Sequence, residues 1–333
     1  MTKRCIGCGA VLQNTDKTKN GYTPKLENKY CMRCFRLTNY NDLTETITEK
    51  DNEKIIATIN KNSCYSFFLI DATNITKEAV DIYLSIKTRK SLLLTKVDLL
   101  PNNISVSNYI NKFKSTYYIK EEVYPLSSVK KVNTSKILKI MDELNLKKAY
   151  ILGCTNAGKS TLINTMLNKA TITTSRIPNT TLDFINMCIE DKVLTDTPGF
   201  ITTTTPFITD KKYYKKIDYK KRIKPITYQT KEETNVVLEN IYRLSNFNIN
   251  SVTTYFYNFA SEYVRTYFNN NIEVKRDFKN SEDCFSVNVM DNTDIVIKDL
   301  GFINVKKACT VKISKNLENL VEFRPSLIGG TND

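Results

Sequence analysis

Residues 149–161 read AYILGCTNAGKST, and no other segment constrains the chain as tightly. Tyr150, Ile151 and Leu152 form an apolar strand pattern; Gly153, four further residues, then Gly158, Lys159 and Ser160 follow. This is phosphate-loop spacing, in which backbone N–H groups and the N-terminus of the next helix surround phosphate oxygens. Gly153, Asn156, Ala157, Gly158, Lys159, Ser160 and Thr161 are the loop residues expected at a nucleotide. Lys159 places its charge on the β- and γ-phosphates, and the Ser160 hydroxyl is the expected Mg²⁺ ligand. TLINTMLNK, after Ser160, predicts the helix.

Three further segments agree with a nucleotide. Lys192-Val193-Leu194 predicts a strand that runs into Asp196-Thr197-Pro198-Gly199. A carboxylate at such a strand end holds Mg²⁺ through water, and the following glycine offers its N–H to the γ-phosphate. Upstream, the strand pattern Ser91-Leu92-Leu93-Leu94 is followed by Thr95-Lys96-Val97-Asp98. A carboxylate at Asp98 can accept from both N1–H and N2–H₂ of guanine, a donor pair that adenine lacks. The Lys96 stem packs on the base. Val123-Tyr124-Pro125-Leu126 predicts a strand ending at Ser127-Ser128, which fits a short loop donating N–H to guanine O6. These elements select GTP and GDP.

The order along the chain is base motif, Ser-Ser loop, phosphate loop, magnesium aspartate. Ordinary GTPases begin with the phosphate loop. All four elements are loops at the carboxyl ends of parallel strands, where such sheets bind ligands. Cutting the chain elsewhere in the circle preserves that edge, because domain termini often lie close together.

At 333 residues the chain suits about two domains. No apolar run approaches the ~20 residues of a membrane helix, and MTKRCIGCGA has no apolar segment behind it, so no secretory signal is expected. The chain contains no histidine, which removes histidine bases and histidine metal ligands.

Cys5-Ile6-Gly7-Cys8 and Cys31-Met32-Arg33-Cys34 lie 22 residues apart. Two such knuckles supply the four thiolates of a closed zinc site. The other readings are two disulfides or redox dithiols; a reducing cytoplasm disfavours the former. Cys64, Cys154, Cys188, Cys284 and Cys309 show no pairing, and most are expected to be buried.

Lys and Arg exceed Asp and Glu, 49 to 35, for a net charge of +14. Two sources are open: a polyanionic partner such as RNA, or the Lys and Asn bias of an AT-rich coding sequence. Arg33, Arg36, Phe35 and Tyr40 near the second knuckle alternate base and aromatic, as RNA contacts do. Packing beneath a small metal-held fold is the other reading of the two rings.

Together the motifs resemble the circularly permuted GTPases of bacterial ribosome assembly, and within them the YqeH family. The resemblance rests on the N-terminal CIGCG, GYTP at 21–24, CMRCFRLTNYND, TKVDLLP at 95–101, GCTNAGKSTLIN, PNTTLD at 178–183, DTPG, DIVIKDLGF and RPSLI. It implies GTP hydrolysis coupled to maturation of the small (30S) ribosomal subunit through rRNA contact. It carries nucleotide roles to Lys96, Asp98, Lys159, Ser160, Asp196 and Gly199. It adds Thr181 as the switch threonine closing on Mg²⁺ and the γ-phosphate, and Asn156 as a K⁺ ligand. A loop-bracing Asn156 is the other reading.

Two positions depart from the family: Thr95 replaces asparagine in the base motif, and Asn179 replaces glycine. Phe200 follows Gly199, where a water-orienting glutamine would stand. With no histidine available, hydrolysis is expected to be slow alone and completed by K⁺ and the ribosomal particle.

The expected architecture is an α/β P-loop GTPase domain with permuted motif order (46–205). A small four-cysteine zinc module (1–45) precedes it; a basic connector (206–225) and a β-rich α+β interaction domain (226–333) follow. In the connector, Lys211, Lys212, Lys215, Lys216, Lys220, Lys221, Arg222 and Lys224 alternate with Tyr213, Tyr214 and Tyr219. That suits RNA phosphates and base stacking, or else a solvated face. Helical patterns are expected at VVLENIYRL and SEYVRTYFNN, between strands. The whole chain reads as a cytoplasmic monomer with small-subunit rRNA as partner, and with neither membrane nor DNA. A rival reading is a zinc-ribbon RNA-binding protein that uses GTP as a switch with little hydrolysis. A third places the machinery on an organelle ribosome, although no transit peptide is evident.

Overall fold

The computed structural model describes residues 3–5, 11–16, 21–32, 49–167, 172–176, 184–189, 191–204, 217–229, 235–238, 242–245, 251–257, 264–267 and 284–328. It divides into two compact units that interleave along the chain. The first comprises Met1–Asp71, Glu78–Lys96 and Glu121–Thr202; the second comprises Ala72–Lys77, Val97–Lys120 and Thr203–Asp333.

The first unit holds a seven-stranded sheet. Its strands are β1 (Tyr65–Asp71), β2 (Lys90–Thr95), β3 (Val123–Pro125), β4 (Lys148–Gly153), β5 (Ile172–Arg176), β6 (Ile185–Ile189) and β7 (Lys192–Asp196), in the order β3-β2-β1-β4-β7-β6-β5. The first five in that order are parallel, and β6 and β5 complete the sheet antiparallel. Every residue of β1, YSFFLID, is buried, as expected of a parallel strand covered on both faces. Helices α1 (Glu49–Lys61) and α2 (Lys77–Ser85) precede α3 (Val106–Thr116), which falls in the second unit, and α4 (Lys136–Glu143) and α5 (Lys159–Leu167) follow in the first. Helix α4 buries Ile137, Ile140 and Met141, one helical stripe. These side chains share a core with Phe67, Leu69, Leu93 and Ile151 of the sheet and Leu162 and Met166 of α5.

The parallel register brings several strand ends to one edge. Asp71 lies opposite Thr95, and Leu69 lies opposite Gly153. Ile151 of β4 lies opposite Asp196 of β7. The motifs read from the sequence thus leave the carboxyl ends of neighbouring strands.

In the second unit β8 (Ile226–Gln229), β11 (Ser251–Phe256), β14 (Thr293–Ile297), β15 (Gly301–Val305) and β17 (Val321–Pro325) form one antiparallel sheet. The other is formed by β9 (Asn235–Leu238), β10 (Tyr242–Ser245), β12 (Val264–Tyr267), β13 (Cys284–Val289) and β16 (Cys309–Ser314). Val252, Ile295, Phe302 and Ile303 of the first share one core with Leu244, Val289, Val311 and Ile313 of the second. That shared core defines a sandwich. A fully buried carboxylate, Asp294, accepts from Asn304 Nδ2 (2.9 Å), Leu327 N (3.2 Å) and Arg324 Nε (3.4 Å).

Where they are described, the segments VVLENIYRL and SEYVRTYFNN, expected as helices, are strands. Asn235–Leu238 and Tyr242–Ser245 form an antiparallel pair, Leu244 opposite Val236, and Val264–Tyr267 pairs on the other side of β9. Val236, Val237, Val264 and Thr266 are β-branched and suit a pleated surface, and sheet pairing overrides the helical spacing. Of the five cysteines outside the two knuckles, Cys154 and Cys309 are buried, Cys64 and Cys188 are partly so, and Cys284 is exposed.

Candidate functional site

The phosphate loop begins at the end of β4. Gly153 has φ 154°, and a Cβ there would stand 2.8 Å from the Leu69 carbonyl oxygen, so only glycine lets the chain leave the strand at this angle. Asn156 is left-handed at φ 62°. Helix α5 starts directly afterwards, Leu162 N donating to Gly158 O at 3.0 Å. Lys159 folds back into the loop, its Nζ donating to Gly153 O at 3.0 Å. Burial lowers the Lys159 pKa, with Asp196 and Cys154 pulling it up. Cys154 itself is buried and its thiol pushed up to about 12, chiefly by that burial, so it is chemically inert.

Asp196 is the last residue of β7. Burial pushes its carboxyl up to about 6 against the attraction of Lys159. Its Oδ1 is buried without a hydrogen-bond partner among the described residues. A buried carboxylate oxygen left open beside a phosphate-binding lysine is what a hard cation or its water shell requires. With the exposed hydroxyl of Ser160 on the first turn of α5, the donor set is all oxygen and fits Mg²⁺. Gly199 closes the loop from the other side: a Cβ there would come within 3.1 Å of Lys159 Nζ and 3.3 Å of Thr155 Cα.

The chain beyond Gly199 is fixed in place. Phe200 N donates to Gly153 O (3.1 Å) and Phe200 O accepts from Thr155 N (2.9 Å), a strand-like clasp on the phosphate loop. The Phe200 ring is fully buried and stacked on Phe68 of β1, centroids 5.8 Å apart. Asn52 of α1 then grips the next residue with both ends of its amide: Nδ2 donates to Ile201 O (2.8 Å) and Oδ1 accepts from Ile201 N (3.0 Å).

At the base-reading end, Thr95 closes β2. Its hydroxyl reaches Ala157 O at 2.8 Å and Ile70 O at 3.2 Å, tying the strand to the phosphate loop. Lys96 is left-handed at φ 55°, and its Nζ pairs with Asp71 Oδ2 at 2.5 Å. Ser127 is fully buried; its N–H donates to Val132 O (3.1 Å) and its hydroxyl accepts from Lys130 N (3.0 Å). The Ser127 N–H is therefore already engaged in closing its own loop. The Ser128 carbonyl accepts from Thr165 Oγ1 of α5 at 3.4 Å. Asp98 sits in a single 3-10 turn, Val97–Leu99.

Near the N-terminus, Cys5 and Cys31 are both 2% exposed, and Cys31 N donates to Cys5 Sγ at 3.1 Å. Amide donation to sulfur is what a metal-bound thiolate accepts. Cys8 and Cys34 lie outside the described residues, as do Thr181 and Asn179. Among the described residues no group of three or more metal-binding side chains occurs.

Three described residues of the connector make contacts within the protein. Tyr219 packs edge-on against Tyr257, centroids 4.9 Å apart, Lys221 pairs with Asp218 at 3.1 Å, and Arg222 Nε donates to Asp98 O at 3.1 Å. Lys211, Lys212, Lys215, Lys216, Tyr213 and Tyr214 lie outside the described residues.

Asp71 and Asn52 were missed by sequence reasoning. Asp71 had a legible signal, a carboxylate ending an apolar strand, the same pattern as Asp196. Asn52, 149 positions from its partner Ile201, had none.

The sequence profile of a family described as 50S ribosome-binding GTPase matches residues 148–258. YqeH of Bacillus subtilis (strain 168) is 32% identical over 250 residues, spanning 69% of this chain and 68% of that protein. GTPase Der of Karelsulcia muelleri (strain GWSS) is 31% identical over 148 residues, 40% of this chain and 33% of Der. A solved structure described as GDP-bound TM YlqF aligns with TM-score 0.27 and 17% identity over 48% of this chain and 62% of that one. Among the described residues no helix is long and apolar enough to cross a membrane.

Proposed function

Because the chain belongs to the YqeH family of GTPases, we propose that it hydrolyses GTP as an assembly factor of the small ribosomal subunit, acting through rRNA in the cytoplasm. The observation that carries the nucleotide reading is Asp196. Its Oδ1, without a hydrogen-bond partner among the described residues, belongs to a carboxylate that interacts with Lys159, the phosphate-loop lysine already folded inward.

In this reading Lys159 turns from Gly153 O to the β- and γ-phosphates, while Gly199 N–H and Thr181 sense the γ-phosphate. Asp98 accepts from the guanine N1–H and N2–H₂ edge. Lys96, held by Asp71, covers the base, and the Ser127-Ser128 loop lies toward O6. Thr95 spends its hydroxyl on the phosphate loop, so the replacement of asparagine keeps a structural tie while changing the group offered to guanine N7. Ser160 and Asp196 hold Mg²⁺, which neutralises charge developing on the transferred phosphoryl group. Asn156 holds K⁺. Cys5, Cys8, Cys31 and Cys34 hold a structural Zn²⁺; the buried Cys5–Cys31 contact supports that assignment.

The partner reading is tested by co-sedimentation of the protein with isolated 30S and 50S particles, using a non-hydrolysable GTP analogue or GDP. Analogue-dependent pelleting with 30S is expected. Pelleting with 50S alone, as the matching profile's description suggests, overturns the small-subunit assignment.

One observation favours a second reading, a zinc-ribbon RNA-binding protein that uses GTP as a switch and barely hydrolyses it. Phe200 is a core side chain, and its backbone is clasped to the loop. Single-turnover hydrolysis in K⁺ and in Na⁺, with and without 30S particles, separates the two. Turnover raised severalfold by K⁺ and again by particles supports the GTPase reading. Equal rates in all four conditions support the switch.

A further inference from the structure

The turn that carries Asp98 packs with the sandwich core. Leu99 is buried in one cluster with Ile217 and Ile223 of the connector and with Leu244, Val252 and Phe302 of the two sheets. The backbone follows the side chains. Ile223 N donates to Leu99 O at 2.8 Å, and Arg222 Nε donates to Asp98 O at 3.1 Å. The Arg222 Nη1 also bonds Asn102 Oδ1. One guanidinium fork thus spans the segment from Asp98 to Asn102, and its neighbour's amide fixes the peptide between. Within the turn, Leu100 N donates to Val97 O at 3.3 Å, a long bond that the connector's contacts reinforce.

We propose that Arg222 is a positioning residue for guanine recognition: it fixes the peptide plane after Asp98 and thereby the direction of the Asp98 carboxylate. This rests on the assignment of Asp98 to the guanine edge. The physical ground is the demand of a two-point contact. A carboxylate accepting from both N1–H and N2–H₂ of a rigid base must lie in the plane of that base, whereas a single N–H tolerates tilt. Hypoxanthine keeps N1–H and lacks the N2 amine. Loosening the carboxylate therefore weakens binding to guanine more than to hypoxanthine. Arg222 is suited to the task because its planar fork fixes two acceptors at once, which a lysine ammonium on a flexible stem does less well.

The test measures Kd for GDP, IDP and XDP with the full chain carrying Arg222→Ala, Arg222→Lys or Asp98→Asn. Arg222 is exposed, so these substitutions leave the core intact. Arg222→Ala is expected to weaken GDP about three- to tenfold, the scale of one net hydrogen bond. IDP affinity is expected to stay within about twofold, well under that bond's effect, and Arg222→Lys to lie between. Equal losses for GDP and IDP, or none for either, overturn the positioning role. Asp98→Asn is the control for the reading beneath it and should shift preference toward XDP. If it does not, the guanine assignment of Asp98 fails. If it does while Arg222→Ala leaves the GDP-to-IDP ratio unchanged, only the Arg222 inference fails.

Discussion

Asp196 of the seven-stranded sheet and Asp294 of the sandwich are both carboxylates whose pKa burial raises. Their surroundings are opposite. Asp294 receives Asn304, Leu327 and Arg324, and Arg324 in turn donates to Ile75 O at 2.7 Å. Asp196 has a charged neighbour in Lys159, yet one of its oxygens has no hydrogen-bond partner among the described residues. A buried charge whose hydrogen bonds are complete belongs to the architecture; one left incomplete at a loop of amide donors marks a place for something else.

Substitution should separate the two. Lys159→Ala, which removes the mobile charge at the phosphates, is expected to lower kcat by about 10²–10³-fold, the range for one lost transition-state donor. Single-turnover assays check this. Asp294→Ala strands Arg324 without its counter-ion and should destabilise the fold by about 3–5 kcal/mol, read from urea unfolding. Asp196→Asn should do the reverse, leaving the fold as stable or more so while abolishing Mg²⁺-dependent GDP binding. If Asp196→Asn unfolds as readily as Asp294→Ala, the distinction collapses.

The pH dependence sharpens the contrast. Asp196 titrates near about 6 in the folded chain against an ordinary 3.8, so the folded state resists its ionisation. Below about pH 4 the carboxyl is protonated both folded and unfolded, and no penalty exists. The penalty grows as pH rises through about 6 and is complete above it. The stability advantage of Asp196→Asn over the wild type should therefore appear between about pH 4 and 7 and increase with pH. An advantage constant over that range would place the burial penalty elsewhere. The smallest effect is expected at Asn52. Asn52→Ala releases Ile201 and should lower the preference for a GTP analogue over GDP by about three- to tenfold, with GDP affinity unchanged.

The two regions also differed in how far the sequence could be read. In the α/β unit each motif followed an apolar run, and the sheet placed Thr95, Gly153 and Asp196 at strand ends as expected. Phosphate loops are local in sequence, so spacing alone specifies their backbone. The sandwich resisted because its pairings are long-range. Val236 opposite Leu244 is an antiparallel pairing hidden within helix-like spacing, and β12 pairs with β9 in a register that the sequence does not announce. Arg222 was legible as a cation, and composition suggested RNA for it. Its partner, a main-chain carbonyl 124 positions away, leaves no trace in sequence. The Cys5–Cys31 contact lies between these cases, since the C-x-x-C spacing anticipated that the knuckles would meet.

Phe200 gives the fold a history as well as a shape. Its ring is fully buried on Phe68, so a glutamine introduced there would not simply add a hand for the attacking water. Phe200→Gln would empty a site in the core and bury an amide, each a cost of kilocalories per mole. A lineage that committed this position to packing cannot recover a self-contained water-orienting residue in one step. The buried Phe200 ring thus makes packing, and not only catalysis, a constraint on what this position can become.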